Sequence, residues 1–96
     1  MKVKNMTNAN GRKVPNQFVI SDGNKTTFQS YESPIITIDG DNKVIEIGED
    51  WNYSRTTGRY RNKFMEDEGF AELASTKGLE KAIKDGKIDD FVVKMV

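Results

Sequence analysis

The chain contains no cysteine and no histidine among its 96 residues. Without cysteine it forms no disulfide, no thiolate metal site and no cysteine nucleophile. Without histidine it lacks the side chain best suited to proton transfer near neutral pH. Acidic pairs such as Glu49 and Asp50 remain, but adjacent residues of a strand point to opposite faces. We therefore expect a non-enzymatic protein without a cofactor or a bound metal.

Long apolar runs are missing as well. No segment approaches the roughly 20 apolar residues of a membrane-spanning helix. The opening segment, "MKVKNMTNANG", lacks the apolar stretch of a secretory signal. These features predict a cytoplasmic protein with no membrane partner. The length fits a single domain over residues 1–96.

A net charge is also absent, since 15 acidic residues balance 15 lysines and arginines. This balance argues against strong non-specific binding to nucleic acid. The charges are nevertheless segregated along the chain, with two stretches that hold cations and no acid. These cations are Lys2, Lys4, Arg12 and Lys13 near the start, and Arg55, Arg59, Arg61 and Lys63 in the second half.

Four segments of the first half are rich in β-branched and aromatic residues, which predicts strands. Turn residues separate them in pairs, first Asp22-Gly23 and then the segment 40–42, "GDN". The second turn begins with an Asp-x-Asp pattern but lacks the later ligands of a calcium loop, so we interpret it as a hairpin. The predicted strands are "QFVIS" (17–21), "TTFQSY" (26–31), "PIITID" (34–39) and "KVIEIG" (43–48).

The apolar period then changes to that of a helix. Tyr53, Thr57, Tyr60 and Phe64 recur at helical spacing and are expected to face the core. Ser54 is the expected N-cap of this helix and Gly69 its expected stop. Gly58 inside it is unfavourable, which indicates either a loose helix start or close packing at that position.

A second, short helix is predicted to begin at Ser75 or Thr76 and to end at Gly86, followed by a strand in "DDFVVKMV". The expected fold is therefore α+β. It consists of an antiparallel β-meander of four to five strands, one amphipathic helix, a second short helix and a C-terminal strand. We expect residues 8–16, "NANGRKVPN", to form a mobile loop.

Three segments resemble a group of small uncharacterised proteins from bacteriophages and bacterial mobile elements, including those of Bacteroides-like hosts. They are "VPNQFVI", "TTFQSYESPIITID" and "DWNYSRTTGRYRNKF", and the resemblance covers roughly residues 11–93. Two residues depart from the pattern. Asn52 follows the tryptophan, where an acid is common in the group, and Glu32 lies where Asp or Asn is usual. The resemblance implies a phage or mobile-element accessory protein that acts on host machinery, with no established activity.

Two surfaces are candidates for binding. Arg55, Arg59 and Lys63 lie on one side of the predicted helix, opposite its aromatic residues, so the face either contacts a partner or is only solvated. Tyr31, with Gln29 beside it, is either an exposed interface anchor or a buried tyrosine that closes the sheet. The hydroxyls of residues 54–57 either hold an anion or cap the helix, and capping is the simpler interpretation.

We therefore expect an accessory protein that binds a protein partner, with its interface among Arg55, Arg59, Lys63, Tyr31 and Gln29. The alternative is weak electrostatic binding of nucleic acid through Arg55, Arg59, Arg61 and Lys63, aided by the basic N-terminal residues. Four phosphate contacts would give a salt slope of only about −3.6. Self-association through an open edge at residues 89–96 is a further possibility to test.

Overall fold

The computed structural model describes all residues from Met1 to Val96 and contains seven strands and two α-helices. A single 3-10 turn, Ala71–Leu73, lies between the helices. The strands and helices are β1 (Lys2–Thr7), β2 (Lys13–Asp22), β3 (Lys25–Ser30), β4 (Ser33–Asp39), β5 (Val44–Ile47), α1 (Arg55–Asp67), α2 (Thr76–Asp85), β6 (Lys87–Ile88) and β7 (Phe91–Met95).

All seven strands form one sheet in the order β1-β2-β3-β4-β5-β7-β6. Strands β1 to β5 are an antiparallel meander, which confirms the predicted α+β fold. The C-terminal strand β7 pairs with β5 in parallel. A parallel pair needs a long crossover, and α1 and α2 lie within that connection.

Both helices cover the face of the sheet that carries the apolar residues of alternate strand positions. Phe28, Ile36 and Ile47 are almost fully buried on this face. The ring of Phe28 stacks on Phe64 of α1 with centroids 5.8 Å apart. Leu79 of α2 belongs to the same core. The helices therefore depend on the sheet for most of their stability, as short helices generally do.

The predicted start of α1 is confirmed at Ser54, whose Oγ accepts a hydrogen bond from the Thr57 backbone N–H at 3.2 Å. The expectation that Tyr53 faces the core is wrong. Tyr53 precedes the cap and is 68% exposed. Because Ser54 has an extended backbone, the helical spacing does not reach back to Tyr53. The helix ends at Asp67, and Gly69 follows with a positive φ of 89°.

The second helix also follows its prediction. Ser75 caps it by accepting a hydrogen bond from the Gly78 N–H at 2.9 Å. Gly86 ends it in the left-handed conformation. Neither α1 nor α2 has the length and apolar character that crossing a lipid bilayer requires.

The predicted loop 8–16 and the predicted open edge 89–96 are both shorter in the structure. Of the predicted loop 8–16, residues 13–16 belong to β2, and Asn8 orders the rest because its Oδ1 accepts from the N–H groups of Asn10 and Arg12. Of the predicted open edge at residues 89–96, Phe91 and Val92 pair with the two-residue β6, and the outer side of the following β7 residues has no strand beside it. The opposite edge of the sheet is β1, where charged side chains such as Lys2 and Lys4 disfavour edge-to-edge pairing.

Candidate interaction site

The structure separates the four cations that the sequence places together. Arg55, Arg59 and Lys63 are exposed on one side of α1, and we call these three residues the basic face. Arg61 is fully buried. The prediction that Arg61 binds a partner or nucleic acid is therefore wrong, because its guanidinium does not reach the surface.

Arg61 is buried without an acidic partner. Its Nη1 donates to the Trp51 carbonyl oxygen at 2.9 Å, and its Nη2 donates to Thr76 Oγ1 at 3.0 Å. The amide oxygens of Asn52 and Asn62 accept its remaining hydrogen bonds. Burial lowers the pKa of the guanidinium, yet arginine stays protonated in proteins. Arg61 thus joins the segment before α1 to the start of α2.

The basic face borders a hollow of about 610 Å³. Arg59, Tyr60 and Lys63 line one side of it, and the β1–β2 turn, with Asn8 and Asn10, lines the other. Lys63 Nζ lies 3.3 Å from Asp67 Oδ2, so part of its charge is already compensated. Arg55 and Arg59 form no ion pair. The exposed N-terminal cations are Lys2, Lys4, Arg12 and Lys13.

Tyr31 follows the exposed interpretation and not the buried one. Its side chain is 50% exposed, and Gln29 Nε2 donates to the Tyr31 carbonyl oxygen at 2.9 Å. The backbone of Tyr31 is left-handed, with φ 57°, and so is that of Asn16, with φ 66°. The Tyr31 N–H donates to the Asn16 carbonyl oxygen at 2.7 Å. A bulky residue rarely adopts this conformation, so the surrounding hydrogen bonds hold it there.

Tyr31 and Tyr53 line one hollow of about 530 Å³, which we call the tyrosine hollow. Tyr31 comes from the β3–β4 turn and is half exposed, and Tyr53 comes from the segment before α1 and is mostly exposed. Glu32, Ser33 and Asp50 also line it. The hollow therefore combines two exposed aromatic rings with two carboxylates.

Close packing between β4 and the loop after β5 positions Asp50 in this hollow. Ser33 Oγ donates to Asp50 Oδ2 at 2.9 Å. The Gly48 N–H donates to the Ile35 carbonyl oxygen at 2.8 Å. A Cβ atom at Gly48 would overlap the Pro34 carbonyl oxygen, so only glycine permits this approach.

Two buried hydroxyls form the wall between the tyrosine hollow and the core. Ser30 of β3 and Thr57 of α1 share a hydrogen bond of 2.8 Å. Ser54 Oγ lies 3.2 Å from Thr57 Oγ1 and caps the same turn. These hydroxyls are therefore used inside the protein, and the anion-binding interpretation of residues 54–57 is not supported by their contacts.

Tyr31 and Gln29 of this region are predicted site residues, whereas Tyr53 and Asp50 are not. The spacing of Tyr53 predicts a place on the inner face of α1. Asp50 approaches Ser33 only after β4 and β5 pair. The signal that would have separated Tyr53 from the helix is Ser54 itself, because the residue before an N-cap lies outside the helical period.

One comparison with known proteins gives a result. The model of a family of unknown function, DUF8033, matches residues 1–83. The chain belongs to the DUF8033 family. The match includes the tyrosine hollow, the basic face and the Arg61 network, and it ends within α2, so β6 and β7 lie beyond it. No curated protein and no solved structure matches the chain.

Proposed function

We propose that this DUF8033 protein is a small, non-enzymatic accessory protein that binds a protein partner through the tyrosine hollow. It acts in the cytoplasm on behalf of a phage or mobile element. The resemblance of its motifs to phage and mobile-element proteins supports this origin, and the family assignment adds no activity. The interface is centred on Tyr31 and Tyr53, with Gln29 supporting the first.

The observation that carries the proposal is the exposure of two tyrosines in one concavity. Tyr31 is 50% exposed and Tyr53 is 68% exposed, and both line the same hollow. Tyrosine is enriched in protein interfaces because its ring buries a large apolar area while its hydroxyl retains a hydrogen bond. A pair of such rings at a concavity is suited to receive a protruding segment of a partner.

The backbone of Tyr31 adds support. A left-handed conformation at a bulky residue costs on the order of 1–3 kcal/mol, and it is found preferentially at functional sites. The hydrogen bonds from Gln29 Nε2 and to the Asn16 carbonyl oxygen fix the direction of the Tyr31 backbone. A fixed backbone loses less conformational entropy on binding, which favours recognition.

Site-specific photo-crosslinking tests the proposal. A photoreactive phenylalanine is placed at position 31 or 53, and also at position 92, where Val92 is similarly exposed at 53% on β7. The protein is expressed in a bacterial host and irradiated, and crosslinked products are identified by mass spectrometry. We expect the same protein at positions 31 and 53 and not at position 92. No product at the two tyrosine positions, or equal products at all three, would contradict the proposal.

A second candidate function is weak binding of nucleic acid through the basic face. The favouring observation is the hollow between Arg59, Lys63 and the β1–β2 turn. Arg55 and Arg59 of the basic face form no ion pair. Three phosphate contacts would give a salt slope of about −2.7 on duplex DNA. This salt dependence is weaker than that of four phosphate contacts, because the buried Arg61 cannot reach a phosphate.

Charge reversal separates this candidate from the first. The variant Arg55→Glu/Arg59→Glu/Lys63→Glu should lose retention on DNA or RNA, whereas Lys77→Glu/Lys81→Glu/Lys84→Glu on α2 makes the same change in net charge elsewhere. Loss with the first variant only would support the basic face. Equal retention by both variants would remove this candidate.

A further inference from the structure

The tyrosine hollow adjoins a second hollow of about 390 Å³ beside β4 and β5. The two share four lining residues, Glu32, Ser33, Ile35 and Asp50, and we call the two hollows together the groove. The tyrosines lie at one end of this groove and Val96 at the other. A ligand that contacts both hollows must therefore be an extended segment and not a single side chain.

The charged residues that line the groove have one sign. They are Glu32, Glu46, Glu49 and Asp50. Lys94 lies beside Glu46 in the β5–β7 register, so the negative charge of the groove depends on the other three carboxylates. The chain as a whole has no net charge, and cations line the separate hollow at the basic face. The groove consequently complements a positively charged ligand.

We infer that the groove binds an extended segment of the partner that is rich in lysine and arginine. The inference rests on the proposed function and names the chemical class of the partner segment. Exposed tyrosine rings attract cationic head groups through cation–π interaction. Ser33 engages Oδ2 of Asp50, which leaves Oδ1 as an acceptor for a charged N–H donor.

The test uses two fluorescent eight-residue peptides, one of alternating lysine and serine and one of alternating glutamate and serine. Fluorescence anisotropy measures their binding to the full chain, and ¹H–¹⁵N spectra show which amides shift. We expect saturable binding of the lysine peptide only, weakened by added salt, with the largest shifts at residues 31–33 and 48–53. Binding of the glutamate peptide to these residues, or no binding of either, would overturn the inference.

A matched pair of variants localises the effect. Glu32→Gln/Asp50→Asn removes two groove charges while the Asn oxygen still accepts from Ser33, and we expect binding at least about fivefold weaker. Glu66→Gln/Glu72→Gln removes two exposed charges outside the groove and should leave the affinity unchanged. Equal weakening by both variants would show only attraction to a general negative charge and would overturn the inference.

The two proposals fail in different ways. If positions 31 and 53 crosslink a partner and Glu32→Gln/Asp50→Asn captures that partner as well as the unaltered protein does, then the proposed function stands and the basic segment is wrong. If neither position crosslinks a protein but the lysine peptide binds in the groove, then the cation selectivity stands and the proposed function is wrong.

Discussion

The guanidinium carbon of Arg61 lies 5.3 Å from the ring centroid of Trp51, and Arg61 Nη1 donates to the carbonyl oxygen of the same residue. The pair fixes the segment that carries Asp50 and Tyr53 against α1. All hydrogen-bond acceptors around the buried cation are neutral oxygens. The geometry of the tyrosine hollow thus depends on a charge that has no counter-ion.

Arg61→Lys is expected to destabilise the protein by about 2 kcal/mol or more, because an ammonium group cannot span the four acceptor residues that the guanidinium joins. Chemical denaturation followed by Trp51 fluorescence measures the change. Arg59→Lys, on the exposed side of the same helix, is the control and should change stability by less than about 0.5 kcal/mol. Similar stability of the two variants would show that the buried network contributes little.

Asn52→Asp is expected to stabilise the protein by about 0.5–1 kcal/mol, because a carboxylate would replace the amide oxygen 3.3 Å from Arg61 Nη1. The cation should lower the pKa of the new carboxyl group in the folded state. The gain is then present above the carboxyl pKa of the unfolded chain and is lost as the pH falls through the lower folded value. Denaturation at neutral and acid pH checks both the sign and the window. A gain that persists in acid would contradict this origin.

Several elements were predictable because local chemistry determines them. The hairpin at Gly23 and the caps at Ser54 and Ser75 lie where turn and capping residues predict them. Ile45 and Ile47 alternate with more exposed neighbours, and both are fully buried. In each case the decisive interactions lie within a few residues along the chain.

Other features depend on partners that are distant in sequence. Strand β1, "KVKNMT", has a weak strand pattern and is ordered by its pairing with β2. Arg61 belongs to a run of cations that the sequence predicts to be exposed. In the fold it is buried, and it donates hydrogen bonds to Trp51, which precedes it in the chain, and to Thr76, which follows it. The approach of Asp50 to Ser33 also needs the completed β4–β5 pair. These contacts appear only in the tertiary structure.

Gly58→Ala is expected to stabilise the protein by about 0.5–1 kcal/mol, the usual difference between these residues inside a helix. The structure shows neither a loose helix start nor unusually close packing at Gly58. The helix start is capped by Ser54, and a Cβ at position 58 would lie 3.7 Å from Arg61 Nη2, an ordinary contact. Thermal unfolding measures the gain. Gly78→Ala is the contrasting control, because its Cβ would overlap the Glu72 carbonyl oxygen and should lower stability.

Asp39→Asn is expected to lower stability at neutral pH and to have a smaller effect in acid. Hydrogen bonds, first from the Asn42 side chain and then from its backbone N–H, hold the pKa of Asp39 below its ordinary value of 3.8. A lowered folded pKa stabilises the protein above the unfolded value, and this contribution is lost as the pH falls through the folded value. Urea denaturation from neutral pH downward should therefore show the two proteins converging below about pH 3.8.

The matched control for this titration is Asp22→Asn, since the exposed Asp22 carboxylate forms neither a side-chain hydrogen bond nor an ion pair. Its effect on stability should be small, because the substitution removes no contact of the carboxylate. A difference between Asp39→Asn and the unaltered protein that stays constant into acid would show that the hydrogen bonds stabilise both protonation states equally.

Gln17→Met is expected to raise stability by about 1–2 kcal/mol. The Gln17 side chain is fully buried, and neither its amide nitrogen nor its amide oxygen has a hydrogen-bond partner within the protein. Burying an unpaired amide is costly, whereas methionine has a similar length and only a weakly polar sulfur.

Urea denaturation with an unchanged slope would report this gain as a shift of the midpoint. Gln29→Met is the matched control, because it removes an amide that does donate, to the Tyr31 carbonyl oxygen, and should not stabilise the protein. A loss of stability in Gln17→Met would show that the amide is satisfied in solution, and the residue would then belong with the hydroxyls of Ser30 and Thr57 as part of one buried polar network behind the tyrosine hollow.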